Sequence, residues 1–440
     1  MVANRTLLIY FNDALVGHLE KKTKLHFLFQ YDAAWLALPG ARPISLSLPL
    51  LTKQFEGPEV YAFFDNLLPD NPKIRAQIQS HFHLPSAEVF DLLCAIGRDC
   101  VGAIRLCAPD LSLPSNRMRA FPLTKTRVAL LLRTIHQHPL GMTEKNTDFR
   151  ISIAGAQEKS ALLYWKKKWH FPMGATPTTH IFKLPIGELP HQGIDLTDSC
   201  ENEWLCAQIA AAFGLPVASC FVEEFSQVKA LVVTRFDRKL SRSGKKIVRL
   251  PQEDLCQALG VFSEYKYQSE GGPGISQIMK FLLGAADPDH DREMFFASQV
   301  LFWLLAAIDG HAKNFSIFIE PSGRFRLTPL YDIMSAHPLL HGKQLQSKKI
   351  KMAMALEGKN KHYHWHEVQR RHFLSTAKRA RFSVEKAEEI LDSMLEKVDE
   401  VIKVVSRKLP KKFPMRIAQP IFSGMRVTRD KLILRKIRKR

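Results

Sequence analysis

The feature that most constrains this chain is a predicted helix over Asp291–Ile308 that is apolar nearly all round. A helix of this kind should be buried on every side. Its most apolar part, Phe295–Ile308, contains Ser298 and Gln299 and is too short to span a bilayer. The pattern therefore indicates the buried core helix of a globular protein, and no membrane partner is expected.

The residues after this helix form a polar loop, a predicted hairpin and a final acidic residue. The loop reads D-G-H-A-K-N over Asp309–Asn314, and Asp332 closes the segment. Between them two apolar strands are predicted, over Phe315–Ile319 and Phe325–Leu330, on either side of a turn at Pro321–Gly323.

This order of residues fits the chemistry of phosphoryl transfer from ATP. The reaction needs one carboxylate to orient the attacking hydroxyl, and a second carboxylate with an amide oxygen to hold Mg²⁺. In protein kinases the base and the asparagine share one loop, and the second aspartate follows the next hairpin. Asp309, Asn314 and Asp332 occur in this order.

Further residues that this chemistry needs lie upstream. A strand lysine should reach the α- and β-phosphates and be fixed by a glutamate on the next helix. Lys183, in a predicted strand over His180–Leu184, and Glu203, on a helix predicted to begin near Thr197–Ser199, fit these roles. A glycine-containing turn ahead of the lysine should offer backbone N–H groups to phosphate oxygens, and Ala154–Lys159 stands there.

Each of these residues also has an ordinary structural interpretation. A lone Asp-Gly is usually a turn, a strand lysine is usually an exposed edge residue, and Asp332 could cap a helix. The chain has no G-x-G-x-x-G or Walker loop at this turn, and H-R-D and D-F-G are absent. From spacing alone, a nucleotide-dependent phosphotransferase and a purely structural set remain alternatives.

In these segments and over nearly its whole length, the sequence resembles the HipA family, the kinase half of bacterial HipA–HipB toxin–antitoxin pairs. The similarity rests on motifs in one order: Arg42–Leu50, Phe63–Asp70, Ile96–Gly102, Asp148–Lys159, Thr178–Gly187, Arg235–Arg238, Leu250–Asp254, Gly271–Gly274, Asp309–Asn314 and Leu327–Ile333. The resemblance implies an α+β chain with a two-lobed, protein-kinase-like fold, an extra N-terminal α/β subdomain and a mostly helical C-terminal lobe.

The expected domains follow from this resemblance and from breaks in composition. Pro, Ser and Asn cluster at Pro109–Pro122, and the pattern becomes helical from about Gln252. We therefore expect an N-terminal HipA-type subdomain over 1–110, an N-lobe with nucleotide-binding strands over 111–250, and a helical C-terminal lobe with a basic tail over 251–440. Within the first domain, Arg42–Leu50 and Ile96–Ile104 are predicted to be strands. In the second domain Lys159–Trp165 is a predicted strand, and in the third Phe382–Val405 is predicted to be one charged amphipathic helix.

The resemblance implies a serine/threonine protein kinase that uses ATP and Mg²⁺. Asp309 would be the catalytic base, Asn314 and Asp332 would bind Mg²⁺, and Glu203 would orient Lys183. The ATP-contacting positions would be Ala154, Gly155, Ala156, Gln157, Glu158, Lys159, Lys183, Thr234, Arg235, Phe236, His311, Ala312, Lys313, Asn314 and Tyr331.

Ser152 matches the autophosphorylated serine of the family. A phosphate there adds roughly −2 of charge one step before the phosphate-binding turn. It should repel ATP and pull the turn outward, so Ser152 would act as an off switch. Without the resemblance, a strand hydroxyl of no special role is the ordinary interpretation.

The charge of the chain is concentrated near its C-terminal end. The net charge is +20, and His341–Arg440 contains 27 basic and 10 acidic residues. This suggests an anionic partner, most often nucleic acid, or otherwise a solvated lysine-rich surface. The resemblance implies a HipB-like helix-turn-helix antitoxin that binds operator DNA together with this chain, and a run that touches the DNA backbone: Lys378, Arg379, Ala380 and Arg381.

The resemblance also implies a protein substrate in translation, with glutamyl-tRNA synthetase as the best-known target, and growth arrest or persistence as the outcome. A catalytically silent, DNA-bound corepressor and a small-molecule kinase are the alternatives. The N-terminus lacks the pattern of a signal peptide, so we expect a cytoplasmic protein that is nucleoid-associated in its complex. The alternating histidines His362, His364 and His366 could be metal ligands or, more simply, a polar surface.

Overall fold

The computed structural model describes residues 5–110, 118–135, 151–154 and 157–437, except for the side chains of 434–437. The chain forms two compact units. The first comprises Met1–Leu184, Glu223–Tyr265 and Ser316–Phe325, and the second comprises Pro185–Val222, Lys266–Phe315 and Arg326–Arg440. None of the described helices is long and apolar enough to cross a bilayer.

The strands of the described residues are β1 (Thr6–Phe11), β2 (Ala14–Lys21), β3 (Phe27–Tyr31), β4 (Phe55–Glu56), β5 (Ile104–Cys107), β6 (Ala120–Leu123), β7 (Lys159–Trp165), β8 (Lys168–Pro172), β9 (His180–Lys183), β10 (Gly187–Leu189), β11 (Ile194–Leu196), β12 (Cys220–Phe225), β13 (Val228–Thr234), β14 (Arg238–Leu240), β15 (Ile247–Arg249), β16 (Gln252–Asp254), β17 (Ser316–Ile319), β18 (Phe325–Leu327), β19 (Lys351–Glu357) and β20 (Lys361–His364). The helices are α1 (Ala33–Leu36), α2 (Pro58–Asp65), α3 (Pro72–His81), α4 (Val89–Ile96), α5 (Lys125–Arg133), α6 (Ser199–Ala212), α7 (Leu255–Ala258), α8 (Ile275–Phe281), α9 (Pro288–Leu304), α10 (His337–His341), α11 (Arg370–Arg379), α12 (Val384–Glu396), α13 (Val398–Ser406) and α14 (Met415–Ile437).

The N-terminal part of the first unit is built on a five-stranded sheet with the strand order β4-β3-β2-β1-β5. Alternate residues of its strands point into a core that also receives Phe63 and Phe64 of α2. Two predictions were wrong here. Arg42–Leu50 contains only an isolated bridge between Ser45 and Leu48, and in Ile96–Ile104 only Ile104 belongs to a strand.

The buried tyrosine Tyr31 explains why Arg42–Leu50 remains irregular. Its hydroxyl donates to the carbonyl of Leu48 at 2.5 Å and accepts from the amide of Ile44 at 2.9 Å. Because one side chain satisfies these backbone groups, the segment can bury its apolar residues without joining a sheet.

A second sheet of the first unit has the order β12-β13-β9-β7-β8-β6. The strand predicted over Lys159–Trp165 is confirmed as β7 with the same bounds. In its register, Lys159 lies opposite Lys183 of β9, and Lys183 lies opposite Leu231 of β13. This pairing fixes Lys183 in the middle of the sheet rather than at an edge.

The second unit is mostly helical and is organised around α9, whose middle and end are buried. The predicted burial of this helix is therefore confirmed. Helix α14 approaches α10 so closely that a Cβ added to Gly424 would lie 2.3 Å from Nδ1 of His337. The single helix predicted over Phe382–Val405 is two helices, α12 and α13, because Lys397 adopts a ψ of −9° that ends one and begins the next.

Candidate active site

The loop that carries Asp309 is shaped by the end of α9. Ala306 is left-handed, with φ of 48°, and the amide of Ala307 donates to the carbonyl of Phe302 at 2.8 Å, as expected of such a C-terminal turn. Gly310 then passes so close to Phe302 that an added Cβ would lie 2.2 Å from its ring. Only glycine therefore fits at the position after Asp309. The side chain of Asp309 itself is exposed.

The carboxylate of Asp309 is held by a residue that the sequence did not indicate. Tyr267 donates from its hydroxyl to Oδ1 of Asp309 at 2.5 Å. The Tyr267 ring meets the ring of His311 edge to face, with centroids 5.0 Å apart. Because this hydrogen bond uses Oδ1, Oδ2 remains available to accept a proton from an incoming hydroxyl.

Asn314 is joined to Asp309 within the same loop. Its Nδ2 donates to the main-chain carbonyl of Asp309 at 2.7 Å. The side-chain amide is thereby oriented, and its oxygen stays available as an acceptor, the kind of ligand that Mg²⁺ prefers. Tyr331 donates from its hydroxyl to the carbonyl of Lys313 at 2.8 Å, which ties the loop to the residue before Asp332.

Asp332 has a strained backbone. Its φ is 59°, a left-handed conformation that destabilises a non-glycine residue by about 1–2 kcal/mol and that concentrates at functional sites. On its N-terminal side, Leu330 is held between Pro216 and Ala218 by two backbone hydrogen bonds of 2.8 Å each. The surrounding structure therefore enforces the position of Asp332.

Asn202 of α6 holds the segment on the other side of Asp332, and the sequence did not indicate this either. Its Nδ2 donates to the carbonyl of Ser335 at 2.8 Å, and its Oδ1 accepts from the amide of Ser335 at 2.9 Å. Glu203 is the next residue of α6 and is buried. Within the second unit, α6 is thus tied to the segment that carries Asp332.

The predicted phosphate-binding residues lie in the first unit. Lys159 and Lys183 are opposite each other on adjacent antiparallel strands and therefore share one face of the sheet. Both are 7% exposed, and buried ammonium groups favour anionic groups beside them. Gln157 donates to the carbonyl of Leu184 at 2.9 Å and so anchors the end of the turn.

Other predicted ATP contacts are only partly described. Gly155 and Ala156 lie outside the described residues, between Ala154 and Gln157–Lys159, which are described. The amide of Arg235 donates to the carbonyl of Thr179 at 2.9 Å, and its side chain is buried in an ion-pair network. Within the segment Thr234–Phe236, the backbone N–H of Arg235 is therefore already hydrogen-bonded inside the protein.

Ser152 is fully buried between two other buried residues, Ile151 and Ile153. Its hydroxyl donates to the carbonyl of Leu67 at 2.6 Å, and its amide donates to the carbonyl of Asp99 at 3.0 Å. A phosphoryl group cannot be added to a hydroxyl in this position unless the segment first moves.

The predicted DNA-contacting run lies at the end of α11. Lys378, Arg379 and Arg381 are exposed, whereas Ala380 is fully buried and its carbonyl accepts from Arg292 at 2.8 Å. Only the three basic side chains could therefore reach a nucleic acid.

The histidines near this run do not form a recognisable metal centre. The rings of His362 and His372 are stacked with centroids 3.7 Å apart. Within the described ranges, no group of three or more His, Cys, Asp or Glu side chains could hold a metal ion. The polar-surface interpretation of His362, His364 and His366 is the one that this finding favours.

Family models assign the chain to a class of proteins. Residues 151–402 match the HipA-like C-terminal domain, and residues 7–107 match the HipA N-terminal domain. The chain belongs to the HipA family, as the sequence motifs predicted.

The named relatives of this chain are consistent with its membership of the HipA family. The chain is 32% identical over 346 residues to Y4mE of Sinorhizobium fredii, which is named as a candidate kinase, over 77% of this chain and 80% of that protein. It is 28% identical over 342 residues to the serine/threonine-protein kinase toxin HipA of Shewanella oneidensis, over 75% of each.

A solved structure shows the same fold. A chain from the complex of HipA, HipB and operator DNA of Shewanella oneidensis superimposes with a TM-score of 0.79 at 22% identity, over 97% of each chain. This match confirms the predicted α+β, kinase-like fold. The limits of the three expected domains and the roles of the site residues stay predictions.

Proposed function

We propose that this protein is a Mg-ATP-dependent serine/threonine protein kinase and the toxin of a toxin–antitoxin pair. The observation that carries the proposal is the loop in which Asn314 is hydrogen-bonded to Asp309 directly after a buried helix. The strained Asp332 follows the next hairpin. The kinase toxin among its relatives supports the same reaction.

In this proposal the residues of the second unit carry out the chemistry. Oδ2 of Asp309 accepts the proton of a serine or threonine hydroxyl, while Tyr267 holds the other oxygen in place. Asn314 and Asp332 would hold Mg²⁺, which neutralises phosphate charge when bound. The oriented amide of Asn314 and the enforced position of Asp332 fit this ion.

The other residues of the proposed site bind the nucleotide. Lys183 and Lys159 contact phosphate oxygens, the turn Ala154–Lys159 covers them, and the backbone of Thr234–Phe236 meets the adenine. Glu203 orients Lys183, and the remaining nucleotide contacts come from the loop and from the tyrosine that clamps it: His311, Ala312, Lys313 and Tyr331.

We propose a component of translation as the substrate, with glutamyl-tRNA synthetase as the first candidate from the family resemblance. In this proposal the protein acts in the cytoplasm. The outcome for the cell would be growth arrest or persistence. Surface contacts decide substrate choice, so the substrate has to be found by experiment.

Phosphoproteomics after brief induction tests this function. Cells expressing wild type, Asp309→Gln or the matched surface variant Asp289→Asn are compared. The proposal expects arrest and newly phosphorylated serine or threonine in a translation protein for wild type and Asp289→Asn, and neither effect for Asp309→Gln. DNA binding without ATP turnover or toxicity would show a silent corepressor, and metabolite-dependent ATP use without labelled protein would show a small-molecule kinase.

Ser152 is proposed as a site of autophosphorylation that switches the kinase off. Because its hydroxyl is fully buried, phosphorylation would trap the segment in a displaced position and add charge beside the phosphate-binding turn. We expect Ser152→Ala to keep its activity during incubation with ATP while wild type loses it. Residual phosphotransfer measured over time checks this, with Ser160→Ala as a serine control on β7. Equal decay in Ser152→Ala and wild type would remove Ser152 from the mechanism.

The exposed basic residues at the end of α11 are proposed to touch DNA in a complex with a HipB-like antitoxin. The solved complex of a HipA, a HipB and operator DNA supports this. Such contacts go to phosphates, so neutralising Lys378, Arg379 and Arg381 should weaken operator binding for all sequences and lower the salt slope by about one per contact. Fluorescence anisotropy of the complex over a range of salt concentrations measures this. The control neutralises Arg407 and Lys408, and an unchanged slope would leave DNA binding to the antitoxin alone.

A further inference from the structure

The hairpin of β19 and β20 carries positive charge at its closed end. Its strands are antiparallel, and Glu357 lies opposite Lys361. The amide of Gly358 donates to the carbonyl of Asn360 at 2.8 Å, which closes a short turn between the strands. Lys359 in this turn and Lys361 at the start of β20 are both exposed. None of the residues proposed above for catalysis, nucleotide binding or DNA contact belongs to this hairpin.

Helix α11 is bonded to this turn through one of its faces. Oγ of Ser375 donates to the carbonyl of Glu357 at 2.5 Å, and Oγ1 of Thr376 accepts from the amide of Glu357 at 2.7 Å. Nη2 of Arg379 donates to the carbonyl of Gly358 at 2.6 Å. Residues three and four positions apart share a helix face, so this face of α11 meets the hairpin. The lysines of the hairpin and the cations at the end of α11 therefore belong to one surface, which we call the hairpin–helix surface.

The hairpin–helix surface has an excess of exposed cations. Neither α11 nor the turn contains an acidic residue, and the carboxylate of Glu357 beside the turn accepts from Oγ of Ser276 at 3.0 Å. Among the described residues, no carboxylate forms an ion pair with a cation of this surface. These cations are Lys359, Lys361, Arg371, Lys378, Arg379 and Arg381. A surface of this charge attracts a polyanion.

A buried arginine behind this surface offsets a negative charge that would repel an anion. The last carbonyls of a helix carry about half of an elementary negative charge. At the end of α11, Nη2 of Arg292 donates to the carbonyls of Ala380 and Arg381 at 2.8 and 2.7 Å. Arg292 is 6% exposed, so its positive charge stays beside these carbonyls. The end of α11 therefore repels phosphate oxygens less than an uncapped helix end does.

We propose that the β19–β20 turn is a second DNA-contacting element and that it binds the same duplex as the end of α11. The inference rests on the proposed contact between α11 and DNA, and it adds Lys359 and Lys361, which the family resemblance does not imply. Both ammonium groups contact phosphate oxygens of the DNA backbone. Because contacts to phosphate carry no sequence information, the hairpin raises the affinity for DNA of any sequence.

Binding of the full-length protein to a short fluorescent DNA duplex of mixed sequence tests the proposal, by anisotropy over a range of NaCl concentrations. Lys359→Gln and Lys361→Gln together remove the charge of the hairpin. Lys239→Gln and Lys245→Gln together are the matched control, on the exposed β14–β15 hairpin of the first unit. We expect the first variant to bind about tenfold more weakly at low salt, with a salt slope lower by about two, one for each lost phosphate contact. The control should bind as wild type does.

Several results would overturn the proposal. An unchanged affinity and salt slope for the hairpin variant would show that its lysines are only solvated, and a loss on neutralising Lys378, Arg379 and Arg381 would then leave the α11 contact standing alone. An equal loss in the control variant would show that only the total charge matters. Tighter binding of an RNA duplex, weakened by the same hairpin variant, would assign the surface to RNA. Phosphotransfer does not enter these measurements, so a failure of the proposed kinase activity leaves this test intact.

Discussion

Glu253 of β16 is a residue whose protonation the fold changes strongly. It is fully buried, and its Oε1 accepts from the amide of Leu46 at 2.8 Å. Burial raises the pKa of Glu253 from 4.5 to about 8, because desolvation outweighs its hydrogen bonds. As the pH rises from about 4.5 to about 8, the unfolded chain releases this proton while the folded chain retains it, so stability falls over this window.

We therefore expect Glu253→Gln to stabilise the protein at pH 8 but not at pH 5. The amide imitates the protonated acid and does not ionise, and the shift sets an upper limit of about 5 kcal/mol on the gain. Denaturant unfolding at both pH values measures the difference, with the exposed Glu188→Gln as the control. A difference that does not change with pH would show that Glu253 does not titrate in this window.

At the scale of residues, the sequence identified groups by their type and order but not their neighbours. The D-G-H-A-K-N loop and the aspartate after the hairpin indicated Asp309, Asn314 and Asp332. Nothing marked Tyr267, because it lies 42 residues before Asp309 and meets it only in the folded chain. The same reason applies to Asn202, which is 133 residues from Ser335.

At the scale of elements, α6 positions the segment that carries Asp332. We expect Asn202→Ala to raise the Mg²⁺ concentration needed for half-maximal phosphotransfer by about fivefold or more, because each lost hydrogen bond is worth about 1 kcal/mol. A Mg²⁺ titration of activity at saturating ATP measures this. Gln208→Ala on the same helix should leave the titration unchanged. A fall in rate with an unaltered Mg²⁺ dependence would mean that Asn202 only supports the fold.

Strands and helices could be predicted from the pattern of apolar residues where no contact with a distant residue overrides that pattern. Residues Lys159–Trp165 read as a strand and form β7. Arg42–Leu50 has the same kind of alternation, but the Tyr31 hydroxyl takes the place of a neighbouring strand. The predicted C-terminal helix is divided into α12 and α13 by the backbone conformation of Lys397. The pattern of charged residues does not indicate this division.

At the scale of the molecule, one buried ion-pair network joins distant parts of the first unit. Asp99 is 3.0 Å from Arg238 and 2.7 Å from Arg249, and Arg235 reaches Asp237 at 2.7 Å. Burial raises the pKa of Asp99, but the charges of its three arginines outweigh this and leave the pKa well below its usual range. The stabilisation is therefore present above about pH 4 and is lost as the pH falls further.

We expect Asp99→Asn to lower the free energy of unfolding by about 3–5 kcal/mol at pH 7, because it leaves buried arginines without their counter-charge. Urea unfolding measures the loss, and Asp289→Asn on the surface of α9 should change it little. Equal stability of Asp99→Asn and wild type would show that the remaining carboxylate, Asp237, is sufficient for the network.

The overall fold could be inferred from the sequence because many motifs of one family occur in one order. From charge alone, the excess of lysine and arginine in the C-terminal part indicated either an anionic partner or a solvated lysine-rich surface.

The most direct measurement is phosphotransfer from labelled ATP to protein by purified Asp309→Asn, with Mg-ATP affinity determined on the same preparation. The account predicts a rate at least about 100-fold below wild type, since a general base typically contributes 10²–10⁴-fold, with nucleotide affinity unchanged. Phosphotransfer at the wild-type rate would contradict the assignment of Asp309 and of the site built around it.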